Sequence, residues 1–261
     1  PTPTGVIPTD FYGVVQIPRD IARSYLQRAD PSLLKSWHSW AADWWLNQND
    51  DQERLHHLVL AGRNNEACRL AVGRAEHFLA NPNEDLLQSL QNLPAPEPYA
   101  GRVLRLEVMT ALACGNLKAA EKGLNFLQQR QDPTAAGLTA RLSLEKGDAE
   151  KAVELAVNAF ASDNDPDTAV TAVRSMLMLG RTAEAEAMIG TAVNTLKEQH
   201  SGRGIGELLT ARAGISYANG DRDGAVVLLS KAAAAVPGHA RERTEALISE
   251  VRAGRPLPRF W

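Results

Sequence analysis

The chain is predicted to be all-α, an α-α superhelix of stacked helix pairs preceded by a small strand and helix segment. Four observations carry that expectation. Five short stretches share one frame, a Gly followed five residues later by an Ala on a fresh helix: Gly62/Ala67, Gly115/Ala120, Gly147/Ala152, Gly180/Ala185 and Gly220/Ala225. The glycines stand 53, 32, 33 and 40 residues apart, and two of these intervals have the period of a helix-turn-helix unit stacked on copies of itself. Aromatics make up only 5% of the chain while Ala is abundant, which suits closely packed helices and argues against a sandwich of branched and aromatic strands. Sustained strand alternation is missing beyond the first 20 residues.

Residues 1–30 are read as a separate N-terminal segment. Val14-Val15-Gln16-Ile17 is β-prone, and Pro18-Arg19-Asp20 opens a short helix, Ile21 to Arg28, with Asp20 placed to cap it. A lone strand leaves its backbone groups unsatisfied. It therefore either pairs with Gly5-Val6-Ile7 or is the trailing half of a module that lies upstream.

From Pro31 the 3.6-residue period takes over, and residues 31–93 read as irregular helical pairs. Leu33, Leu34, Trp37, Trp40, Ala41, Trp44 and Trp45 fall on one broad stripe of a single helix. An aromatic stripe at helical spacing packs inward more often than not, so the stripe reads as a core seam, with Trp45 the exception, rather than as a docking surface. Helices follow over Gln52 to Ala61, Glu66 to Leu79 and Glu84 to Leu93. Pro94-Ala95-Pro96-Glu97-Pro98 cannot continue a helix and marks a change of direction or of repeat type.

Residues 99–236 contain the regular repeats, with helices over Tyr99 to Ala113, Leu117 to Arg130, Thr134 to Glu145, Ala149 to Ala161, Asp167 to Leu179, Ala183 to Gln199, Ile205 to Asn219 and Asp223 to Val236. Ala240 to Arg252, with one charged and one apolar face, closes the array as a capping helix ahead of a tail, residues 237–261 together forming the last segment.

Within Gly147-Asp148-Ala149-Glu150-Lys151-Ala152 and Gly220-Asp221-Arg222-Asp223-Gly224-Ala225, followed by Ala159 and Ala232 and then by Pro166 and Pro237, the chain resembles the tetratricopeptide repeat. The resemblance covers the turn and the second helix of each unit. The family's Trp and Leu-Gly signature in the first helix is absent, so the repeats are divergent. A second resemblance covers the first half: Val15 to Arg23, the Trp-rich helix, Leu55 to Ala67 and Leu86 to Pro94 look like the region after the winged helix in STAND signalling NTPases of the maltose-regulon-activator type. It implies a helical-repeat sensor that follows a P-loop ATPase and a winged helix and binds an inducer or partner. This chain has no GxxxxGK[ST] and no Gly-Lys pair, so it would be the sensor end alone. Pro1 in place of an initiating Met fits an excised fragment or removal of the Met.

Catalytic and metal chemistry is not indicated. His38, His56, His57, His77, His200 and His239 form no i, i+4 ligand pair, and adjacent His56 and His57 project to two different faces of one helix, where they read as surface or interface residues. Cys68 and Cys114 have no CxxC spacing, which fits a cytosolic setting without a disulfide framework. No Gly-x-Ser-x-Gly elbow is present. Asp163/Asp165 and Asp221/Asp223 lie where helices begin and read as caps. Gly202-Arg203-Gly204-Ile205-Gly206 fails the dinucleotide fingerprint and reads as an inter-repeat loop. No cofactor is expected. A formal net charge of −3 does not favour nucleic acid, and no run approaches the length of a membrane span.

The expectation is therefore a non-enzymatic module for protein or peptide binding: the sensor or scaffold part of a STAND-type regulator, or alternatively an independent repeat adaptor or the non-catalytic subunit of a complex. In the tetratricopeptide family the first helix of each unit lines the concave groove. Counting back six residues from the turn glycines gives Met109, Arg141, Arg174 and Gly214, and counting back ten gives Arg105, Gly137, Val170 and Thr210. The candidate concave surface is Arg105, Met109, Arg141, Arg174 and Thr210. Its guanidinium groups suit an acidic or carboxylate-terminated peptide, the other reading being that they solvate a helix face or pair with Glu107 and Glu145. The tail Pro256 to Trp261 either docks on a partner or folds back on the last helix.

Overall fold

The computed structural model describes residues 6–8, 14–16, 30–198, 204–236 and 238–255. Among them are two short strands and fourteen helices. Strand β1 (Val6–Pro8) pairs antiparallel with β2 (Val14–Gln16) in the register Val6 to Gln16, Ile7 to Val15 and Pro8 to Val14, which is the first of the two alternatives for the N-terminal run. The expected helix Ile21 to Arg28 lies outside the described residues, as does the tail from Pro256. The chain divides into two compact units, Pro1–Cys114 and Gly115–Trp261.

In the first unit α1 (Pro31–Gln48) is followed by α2 (Asp51–Leu60), α3 (Asn64–Gly73), α4 (Ala75–Ala80), α5 (Glu84–Gln91) and α6 (Ala100–Ala113). Side-chain caps start several of these helices and satisfy first-turn amides that have no helical partner. Asp30 accepts from Ser32 N at 2.7 Å with Pro31 in the first turn, Asp50 accepts from Glu53 N at 3.1 Å, and Asn83 accepts from Leu86 N at 2.8 Å. The core gathers Leu55, Leu58, Ala67, Cys68, Phe78, Leu86, Leu90, Val103 and Leu106.

One helix expected over Glu66 to Leu79 is two. It breaks at Gly73 and Arg74, where the backbone of Arg74 reaches φ −117°. Glycine is a poor helix-interior residue. The second piece, α4, buries Phe78 completely, an aromatic burial that outweighs the lost continuity of the helix.

The second unit contains α7 (Leu117–Gln129), α8 (Ala135–Glu145), α9 (Ala149–Asp163), α10 (Pro166–Met178), α11 (Thr182–Glu198), α12 (Ile205–Ala218), α13 (Arg222–Ala235) and α14 (Gly238–Arg252). Each of these helices packs on the next in sequence, and α10 also packs on both α8 and α12. Neighbour-on-neighbour packing of this kind defines a helical-repeat array, in which each pair is covered by the next. The turn glycines Gly115, Gly147, Gly180 and Gly220 have φ between +71° and +86°, and so does Gly62 in the first unit. A residue without Cβ enters that region without strain and ends a helix. All five framed alanines, Ala67, Ala120, Ala152, Ala185 and Ala225, are fully buried. Asp165 and Asp221 cap helices as the sequence implies, accepting from Thr168 N at 3.0 Å and Gly224 N at 2.8 Å, and Asp223 lies in the first turn of α13. Asp163 instead ends α9 and accepts from Asp165 N at 2.9 Å in the connecting turn. Val251 of α14 packs beside Ala225 and Leu229 of α13, closing the array.

Candidate functional site

The first helices of the pairs in the second unit, α8, α10 and α12, are flanked on two sides, and this leaves little of each free. On α10 the residues from Thr168 to Leu177 are buried except Val170 and Arg174. Asp167, Val170, Arg174 and Met178, spaced by three, four and four, form the less covered strip of α10, the first three half-buried and Met178 exposed. Arg174 is half-buried on it, and its Nε is buried with no hydrogen-bond partner. On the adjacent α8 Arg141 is also half-buried.

The other positions of the same two rows divide. A Cβ on Gly137 of α8 would come within 2.2 Å of Thr168 Oγ1 of α10, so Gly137 is where the two first helices touch, and Gly214 of α12 is buried. Val170 packs against the core. Thr210 is half-buried on α12, and its hydroxyl donates to the Gly206 carbonyl at 2.8 Å, one turn back in its own helix. Arg105 and Met109 lie half-buried on α6, in the first unit. The arginines are thus partly enclosed. A guanidinium gains in that position, since it stays charged when partly desolvated and holds a carboxylate by two parallel bonds.

A groove of about 410 Å³ runs between α7 and α8. Leu124 and Leu142 contribute apolar surface, and Asn125, Gln128, Thr139 and Ser143 add amide and hydroxyl groups. Much of its polar lining is internally engaged. Lys146 pairs with Glu121, Gln128 Nε2 donates to Thr139 Oγ1 at 3.2 Å, and Asp148 caps α9 by accepting from Lys151 N at 3.2 Å. No His or Cys lines it.

The first unit holds a feature that residue spacing does not show. His38 of α1 and His57 of α2 meet with Nδ1 to Nδ1 at 2.9 Å and stacked rings, and His56 faces α5, with Nδ1 at 3.3 Å from Ser89 Oγ. Burial lowers the pKa of all three, and in His57 the neighbouring His38 and His56 add to burial to bring it to about 4. Their shared location could not be found from sequence, because it depends on how α1 is rotated against α2. Among the described residues no group of three or more His, Cys, Asp or Glu is placed to hold a metal ion. Cys68 and Cys114 are free thiols whose pKa is raised by burial. Among the described residues, no helix is long and apolar enough to cross a membrane.

The Trp-rich helix corrects the sequence reading. Trp37 and Trp40 are 43% and 47% exposed, and Leu33 is exposed beside them, whereas Trp44 and Trp45 are half-buried. Only Ala42 of α1 is buried. The stripe is not a core seam over its first three turns, and Trp45 is not the exception. A broad stripe fixes which residues share a face, not which part of that face its neighbour covers.

Comparison with known proteins bears on the fold. No family model matches the chain, and no curated protein matches its sequence. A crystal structure of a tetratricopeptide repeat protein from Parabacteroides merdae superimposes with a TM-score of 0.57 at 16% identity, covering 89% of this chain and 96% of that one. At that identity the likeness is one of fold: the chain is built as a tetratricopeptide-like array of helix pairs.

Proposed function

We propose that this chain is a non-enzymatic helical-repeat module that binds a protein or peptide partner through the less covered strips of α8, α10 and α12. Arg141 and Arg174 bind an acidic side chain or a terminal carboxylate, with Thr210 the candidate residue of α12; Arg105 and Met109 of α6, in the first unit, are candidates by their count from the turn glycine. The observation that carries this reading is Arg174, whose Nε is buried with no hydrogen-bond partner on the less covered strip of α10. A buried donor without a partner is costly, and an incoming carboxylate would satisfy it. The module works in the cytoplasm as the sensor or scaffold part of a STAND-type regulator. That context is supported by the resemblance in the first half of the sequence, and an upstream P-loop in the complete reading frame would test it.

The binding face is tested by capture from native lysate with wild-type protein and with an Arg141→Gln/Arg174→Gln variant. Glutamine removes the charge but keeps a polar side chain with an aliphatic stem, which matters because both arginines are half-buried. The variant should retain its helicity and lose the captured partner, and raised salt should weaken wild-type capture because mobile ions screen opposite charges. An identical set of partners from both proteins would overturn the assignment.

A further inference from the structure

We propose that α1 is a proton-released helix, docked on α2 while His38 and His57 share one proton between their Nδ1 atoms and freed when both imidazoles become charged. The hold on α1 is thin. Ala42 is its single buried residue, and among the described residues α2 is the helix it chiefly packs against. Among the described residues the polar links to α1 from other elements are few: Arg63 donates from Nη1 to Asp43 at 2.7 Å and to the Ser39 hydroxyl and carbonyl at 3.2 Å, and His38 meets His57 at 2.9 Å.

The imidazole contact has a strict proton requirement. One Nδ1 must donate and the other accept, so at least one ring must be neutral, whereas two imidazolium ions present two donors and two positive charges at the same contact. The groups around the pair sharpen this. From α2, His56 meets His57 edge-on with ring centres 5.3 Å apart, and Glu53, whose carboxyl is pushed up by burial and then by Asp50 and Asp85, lies one turn back. From α5, Asp85 favours the charged form of His56. From α3, Glu66 is engaged with Arg63 at 2.7 Å, and on α1 Asp43 is held by the same guanidinium. Acidification thus adds cations to the cluster while Glu53 loses its charge early.

The docked state favours neutral imidazoles, so its pKa values are lowered. A lowered histidine pKa contributes docking stability that is fully present above the free value of about 6.5 and is lost as pH falls from there toward the docked value. For His57, whose docked value is about 4, the window runs from pH 6.5 down to about 4. Release would bare Trp44 and Trp45 in addition to Trp37 and Trp40.

The test is hydrogen exchange of the full chain at pH 7 and pH 5, corrected for the intrinsic rates, with tryptophan emission as a second readout. From His57 alone, protection of the α1 amides should fall about 20-fold between the two pH values, while protection in α8 to α11 stays level. A His38→Gln/His57→Gln variant should lose most of that pH dependence. Unchanged α1 protection at pH 5, or an equal fall in the variant, would overturn the proposal. Should the variant not fold, an NMR titration of wild-type His57 decides: a pKa well below 6.5 supports the proposal, and one near 6.5 overturns it.

Discussion

Ala152 and Ala225 show how single residues set the spacing of this fold. Each is fully buried five residues after a left-handed glycine, at the start of a second helix that lies against the first. A methyl group fits such a contact and a larger side chain does not. Replacing either with Leu should destabilise the array by about 1–3 kcal/mol, because extra methylenes in a packed crossing force side chains off their rotamers or push the helices apart. Urea midpoints of the two variants check this, and unchanged midpoints would move the tight contact elsewhere. Both halves of the frame were legible in the sequence because the physics is local: a left-handed turn selects Gly, and the residue five positions on is carried to the inner face of the next helix. The histidine cluster was not legible. His56 and His57 do project to different faces as their adjacency requires, one toward Ser89 and the other toward His38, but those partners lie 33 and 19 residues away. Nothing in the spacing of the histidines selects either partner. The degree of enclosure of Arg141 and Arg174 was hidden for the same reason, being set by neighbouring helices.

At the scale of elements, side-chain caps mark several of the helix starts. Asp165 accepts from both Thr168 N at 3.0 Å and Thr168 Oγ1 at 3.1 Å, ahead of Pro166 in the first turn of α10. Thr168 also lies against Gly137, so the cap anchors the residue at which α8 and α10 touch. Asp165→Ala should cost about 1 kcal/mol, the usual loss for a cap, and should raise amide exchange in the first turn of α10 before that of its last. Equal exchange along the helix would show that Pro166 and packing suffice. The caps at Asp165 and Asp221 were readable, since Asp before a helical run has few other uses. The break between α3 and α4 was not read, although Gly73 was its signal, because an isolated glycine is tolerated in many helices and burial of Phe78 decides the outcome. Likewise the period of α1 placed its indoles on one stripe, but which of them α2 covers depends on helix rotation.

At the scale of the molecule, each unit has its own core, and each helix of the second unit is supported by its neighbours in sequence. Such an array derives its stability from repeated local interfaces and leaves a continuous surface of first helices, the feature on which the proposed partner binding depends. That binding surface presupposes a chain that is helix throughout its repeats. The most direct measurement is a far-ultraviolet circular dichroism spectrum of the purified chain at neutral pH. The account predicts that more than two thirds of the residues are helical, against about one third in an average globular protein. A spectrum dominated by sheet, or a helix content near that average, would contradict it.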